Sequence, residues 1–180
     1  MKLFYTEFLI PINHYFLTLN KKEATFDLII PILLGIIGLL FGLIFHISID
    51  QNKSIEFIKI LITLLSILVG FSITSLTIIA STTKLTDTLM SVTTERKVGN
   101  TILNLYQLMN ITFIFSIFSE IFTLFLNLCT LLFISIDINF IINHINSIIL
   151  INIILITHIF LIIIRNVTNF YFVFHKASLN

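Results

Sequence analysis

Charge is what this sequence has least of. Asp, Glu, Lys and Arg make up 11% of its 180 residues against 57% hydrophobic ones, and the mean hydropathy is +1.10. That balance excludes an ordinary soluble globule, in which about a quarter of the residues are charged. Only one cysteine is present, Cys129, so an intramolecular disulfide and a cysteine metal framework are both excluded. Catalytic signatures are missing as well. The chain has no glycine-rich phosphate loop, no HExxH and no nucleophile elbow, and its central ionisable residues cannot alone supply nucleophile, base and orienting groups. The expectation is a protein without enzymatic activity, metal or cofactor. No basic patch exceeds ERK at 95–97, so direct nucleic-acid binding is not expected either. No small-residue cleavage pattern precedes Lys21 and Lys22, and the leading stretch is not read as a signal peptide.

What is present is a series of long apolar runs. Four of them lie between Asp27 and Asp50, Lys59 and Lys84, Lys97 and Asp137, and Asp137 and Arg165. Each meets the rough requirement of ~20 residues for a ~30 Å hydrocarbon layer. Their continuity favours helices over the ~10-residue alternating strands of a barrel. The predicted fold is an all-α integral membrane protein with four transmembrane helices in two antiparallel hairpins. The spans cover about 28–49, 60–83, 106–136 and 145–170, within a transmembrane domain of residues 27–180. Residues 1–26 carry Phe4, Phe8, Tyr15, Phe16 and Leu19 but are broken by Pro11. They read as an interfacial amphipathic segment or as a loosely held tail.

Topology follows from the cations. With the amino terminus inside, Lys2, Lys21, Lys22, Lys84, Arg96, Lys97, Arg165 and Lys176 are cytoplasmic and only Lys53 and Lys59 lie outside, which satisfies the positive-inside rule. The expected location is the inner (cytoplasmic) membrane, multi-pass, with both termini in the cytoplasm. The connector, residues 84–105, is predicted to prolong helix two, turn at Gly99-Asn100 and re-enter as helix three. Lys84, Arg96 and Lys97 on it either contact a cytoplasmic partner or decorate a solvated link.

Polar stripes run inside the spans. Helix two carries Thr63, Ser66, Gly70, Thr74 and Thr77 at steps of three and four, and helix three carries Thr112, Ser116, Glu120, Thr123 and Asn127 likewise, so each set shares one face. They line a pore or only pack helices, since small and hydroxylated residues serve both ends. Helix one offers Gly35, Gly38 and Gly42 for close backbone approach. Glu120 stands apart because a carboxylate at mid-membrane costs at least ~2.5–3.5 kcal/mol and must face a bundle interior or a wet cavity, or be protonated. A hairpin turn near Asn139-Phe140 sets Glu120 level with Ile159, which makes His158 its expected polar partner. That pair is either a responsive element of a conducting path or a buried interhelical hydrogen bond. Arg165 at the inner end of helix four reads as a snorkelling anchor or as part of a basic vestibule.

The stretches ITLLSILVGFSITSLTIIASTT at 62–83, ERKVGNTILNLYQLMN at 95–110 and FSIFSEIFTL at 115–124 resemble small four-helix membrane effectors of bacterial anti-phage systems, the retron-associated type among them. The resemblance covers helices two and three and their connection. It implies an abortive-infection role in which a separate sensor partner triggers the protein to disrupt the inner membrane. A homo-oligomer in contact with lipid, leaking ions between protomers along the polar faces of helices two and three, is the expected active form. The alternative is a non-toxic interaction, immunity or channel-accessory subunit that docks through the glycine face of helix one.

Overall fold

The computed structural model describes residues 7, 9–44, 51–136 and 145–178. It is helical almost throughout. After α1 (Leu9–Thr18) come α2 (Lys21–Ala24), a π-helical turn (Thr25–Ile29), α3 (Ile30–Ile44), α4 (Gln51–Ser81) and α5 (Thr83–Ser91). A hairpin of β1 (Thr93–Val98) and β2 (Thr101–Asn104) precedes the two longest helices, α6 (Leu105–Ser135) and α7 (Ile145–Ser178). Four helical segments, Lys21–Phe41, Asn52–Ser81, Leu105–Ser135 and Ser147–Phe172, are long and apolar enough to cross a membrane. The protein is thus an all-α, multi-pass membrane protein. Large apolar side chains on its surface, among them Ile36, Ile67, Phe125 and Ile164, form the surface that hydrocarbon solvates.

Helix α6 is the axis of the bundle. It packs along α4, where Ile58 meets Ile134 at one end and Ile79 meets Met109 and Phe113 at the other. It packs less extensively along α7, with Ile134 near Ile145 and Ile149, and Phe113 against Phe170. Both pairings are antiparallel. The first span departs from the expected arrangement: α3 packs on α7 and makes only marginal contact with α4. The reason is its narrow buried face. Asp27, Pro31 and Gly35, at spacings of four, are its buried residues, while Ile32, Leu33, Leu34, Ile36 and Ile37 are exposed. At Gly35 a Cβ would collide with the Ile154 side chain of α7, so glycine is what lets these two backbones approach.

The connector is not a prolonged helix. Helix α5 is short, and TTERKV and TILN pair as an antiparallel hairpin in which Val98 faces Thr101 across the two-residue turn Gly99-Asn100. Alternation and the β-branched Thr93, Thr94, Val98, Thr101 and Ile102 favour strand over helix. Gly99 has φ 59°, the left-handed backbone that such a turn needs at its first position. Helix α6 then starts at a reciprocal cap, with Asn104 Oδ1 accepting from Gln107 N–H and the Gln107 side chain accepting from Asn104 N–H.

The segment before the first span is ordered too. Pro11 lies in the first turn of α1, where a missing N–H costs nothing. Far from lying only on the surface, α1 buries Tyr15 completely, its ring stacked on Phe115 of α6 with centroids 3.6 Å apart. Its other side, with Phe16 and Leu17, stays exposed. Phe4 and Phe8 are outside the described residues.

Candidate functional site

The α6 stripe faces the bundle interior. Thr112, Ser116, Glu120, Thr123 and Asn127 are all buried, Glu120 and Asn127 completely. Glu120 lies midway along α6, and its Oε1 accepts from Ser72 Oγ of α4 at 2.8 Å and from Ser116 Oγ at 2.9 Å. Its Oε2 is buried without a partner. Two turns further out, Asn127 Nδ2 donates to Asn152 Oδ1 of α7 at 2.8 Å. Two buried polar groups therefore lie along one face of α6 in the protein interior, with contributions from three helices.

The expected Glu120–His158 pair does not form, and the error is one of azimuth rather than depth. The Asn127–Asn152 bond fixes an antiparallel register that does set residue 120 against residue 159. At that level, however, Glu120 points to α4, while His158 points to the π-turn of the first span and meets Phe115 of α6 edge to face at 5.9 Å. Its Nδ1 is hydrogen-bonded to the main-chain oxygen of Asp27. A carbonyl can only accept, so Nδ1 carries the proton of this bond.

That carbonyl is free because of Pro31. In an α-helix the oxygen of residue 27 accepts from N–H of residue 31, and proline has none. The chain relaxes the same crowding through the π-turn at Thr25–Ile29, a local widening common where side chains do work. Helix geometry then divides the labour at Asp27. Its carbonyl points toward the carboxy end of α3 and meets His158, while its side chain tilts back toward the amino end and meets Arg165, two turns further along antiparallel α7. Asp27 Oδ2 lies 2.6 Å from Arg165 Nη1 and accepts from Tyr15 Oη at 2.7 Å. Arg165 Nη2 is 3.5 Å from Tyr15 Oη, and its guanidinium carbon is 5.5 Å from the Tyr15 ring centre. Burial pushes the Tyr15 hydroxyl well above the ordinary tyrosine range, against the pull of neighbouring Arg165. Asp27 Oδ1 and Arg165 Nε remain buried without partners. Arg165 is therefore an internal ion-pair partner and not a snorkelling anchor.

Other predicted residues are placed apart from this centre. The α4 stripe is turned outward: Thr63, Ser66, Gly70, Thr74 and Thr77 are exposed. Their hydroxyls return to carbonyls four residues back, at 2.8–3.1 Å. The inner face of α4 is carried instead by Ser72 and Ser75, one step off that stripe. A shared path between the polar faces of α4 and α6 is thereby corrected, since one faces in and the other out. Of the glycines, Gly35 packs on α7, Gly38 has nothing within 4 Å of a would-be Cβ, and the surroundings of Gly42 lie outside the described residues. Arg96 reaches Glu23 at 3.1 Å and ties β1 to α2. Lys97 is exposed, and the side chain of Lys84 lies outside the described residues.

Sequence reading passed over Tyr15, Asp27 and the pairing role of Arg165. Asp27 looked like the boundary of a run. The signal that would have found it is the Asp27–Pro31 spacing, which announces a carbonyl without its helical donor beside an acid. Comparison with protein-family models, curated proteins and solved structures finds no match for this chain. Functional argument therefore rests on the arrangement of these groups. Among the described residues no group of three or more His, Cys, Asp or Glu could hold a metal ion.

Proposed function

We propose that this protein is a membrane effector that is shut in the present state and passes ions when triggered. The observation that carries the reading is the buried seam Ser72–Glu120–Ser116 and Asn127–Asn152 within the membrane-spanning bundle. Polar and ionisable groups at such depth are expensive and by default mark ion or proton pathways. The seam is bounded at one end by the Tyr15–Asp27–Arg165 cluster, beside a pocket with room for a water molecule, and closed at the other by Ile58, Ile134, Ile145 and Ile149. Opening requires α6 to separate from α4 or α7, because these helices supply both walls.

The setting that the sequence resemblance suggests is anti-phage abortive infection in the inner membrane, with both termini cytoplasmic. In that setting the exposed connector, with Lys97 at its tip, receives a sensor partner. The outward face Ser66, Gly70 and Thr74 of α4 has the small-residue spacing that lets membrane helices associate, and it serves contacts between protomers. The test is inducible expression with a voltage-sensitive dye. Depolarisation and growth arrest are expected on deregulated expression, and retained potential with normal growth would overturn the reading. A non-toxic interaction subunit is the second reading. It draws on the part of α3 beyond Gly35, where Leu39, Leu40 and Phe41 are exposed, and predicts protection of cells only when a toxic partner is present.

A further inference from the structure

A small pocket opens between the cluster at Asp27 and the seam of α6. Its walls include Tyr15, Glu23, Arg165 and Asn169 on one side and Thr112 on the other, and it encloses about 20 Å³, room for a water molecule. Thr112 is buried and sits one helical turn before Ser116, whose hydroxyl already donates to Glu120 Oε1. From the pocket, polar residues on one face of α6 thus lead past Thr112, whose hydroxyl donates to the Met109 carbonyl at 2.9 Å, to Ser116 and the carboxyl group. Beyond Glu120 the character changes. Thr123 turns its hydroxyl back to the Ser119 carbonyl, Asn127 Nδ2 donates to Asn152 Oδ1 while Asn127 Oδ1 meets no donor, and the isoleucine cluster of α4, α6 and α7 follows.

From this asymmetry we infer that Glu120 is a proton-binding site, loaded from the Tyr15–Arg165 end of the bundle and closed to the opposite side in this state. The direction of loading rests on the seam being a pathway; the existence of the site does not. Glu120 is fully buried, and one of its oxygens meets no donor, so its negative charge is only half solvated by protein. Ser72 of α4 and Ser116 of α6 are its polar neighbours. Of the titratable groups of α7, His158 and Arg165 are turned to Asp27 and Tyr171 is exposed, and Tyr15 of α1 is likewise turned to Asp27. Among the described residues, therefore, no charged group pairs with Glu120 to hold it ionised. In loading, a hydronium ion on the pocket side gives its proton to Ser116 Oγ and is left as water, as the serine's own hydroxyl proton passes to Glu120 Oε1. The serine ends unchanged, the carboxylate gains one proton, and its negative charge is removed. Ser72 Oγ then accepts from the new carboxyl O–H.

The experiment is infrared difference spectroscopy of the full-length protein in liposomes, scanned between acidic and alkaline buffer. A carbonyl band of a protonated carboxyl group is expected, lost in Glu120→Gln and retained in Asp27→Asn. On transfer to deuterated buffer, exchange of that carboxyl should slow in Thr112→Val and not in Thr123→Val. A band that survives Glu120→Gln, or exchange indifferent to Thr112→Val, would overturn the inference. If Glu120→Gln does not fold, Ser72→Ala and Ser116→Ala test the same assignment, because removing the donors must move the band; a stationary band overturns it. Absence of depolarisation in cells would sink the effector reading alone, since the spectrum is read without any leak.

Discussion

Replacing Asp27 by alanine strands a cation inside the bundle. The Asp27 side chain is fully buried and that of Arg165 is 13% exposed, with 2.6 Å between Nη1 and Oδ2. Removing one member of a buried pair costs about 3–5 kcal/mol, most of it the penalty on the charge left behind. Arg165 has a long stem and partial exposure, so part of that penalty is relieved by reaching toward water, which places Asp27→Ala near ~3 kcal/mol. Arg165→Leu strands the fully buried carboxylate instead and belongs at the upper end, ~5 kcal/mol. The double variant Asp27→Ala/Arg165→Leu leaves no charge at all, and its cost should be no greater than that of either single change. The measurement is a denaturant titration in mixed micelles, followed by helical circular dichroism. A double variant whose loss equals the sum of the two single losses would show the groups to be uncoupled, and the cluster would lose its structural meaning.

Tyr15→Phe removes the donor to Asp27 Oδ2 and the weak acceptor facing Arg165 Nη2, keeps the stacking on Phe115, and should cost about 1.5–3 kcal/mol as a hydrogen bond to a charged group, read in the same titration. Because burial raises the Tyr15 pKa above its value in the unfolded chain, its contribution is complete below about pH 10 and declines as pH rises beyond it; stability indifferent to alkali up to high pH would contradict this. Gly35→Val should destabilise by roughly 1–3 kcal/mol through overpacking against Ile154, whereas Gly38→Ala meets open space and should gain up to about 1 kcal/mol in helix propensity, both by thermal unfolding. Asn127→Leu should cost about 0.6–2 kcal/mol, the range of interhelical hydrogen bonds in membranes, while Thr74→Ala on the outward face leaves monomer stability unchanged within ~0.5 kcal/mol.

Span number and span positions could be read from the sequence because run length and charge placement answer directly to bilayer thickness. The inward face of α6 was readable for a similar reason: its stripe contains a carboxylate, and lipid exposure of Glu120 has no physical solution. The α4 stripe carried no such discriminator. Thr and Ser satisfy their own hydroxyls on the preceding turn, as Thr74 does on Gly70, so they tolerate lipid and the wheel alone cannot tell inside from outside. Depth along antiparallel α6 and α7 was also accessible from arithmetic, but rotation about the helix axis was not, and this misassigned His158. The order of packing, with α3 on α7, depended on a missing N–H at Pro31 and a missing Cβ at Gly35, two absences that hydropathy does not register.

The bond between His158 and the carbonyl of Asp27 joins residues 131 positions apart, and this separation has a consequence for biogenesis. During synthesis the first span emerges with an acid that Tyr15 alone can reach and a carbonyl without its helical donor, and neither meets its α7 partner until the last span has been made. The first span is thus inserted on credit of water and headgroups, and it settles only when α7 arrives. Chains truncated before Arg165 should therefore be recognised as unfinished by membrane quality control, although three complete spans are already in place.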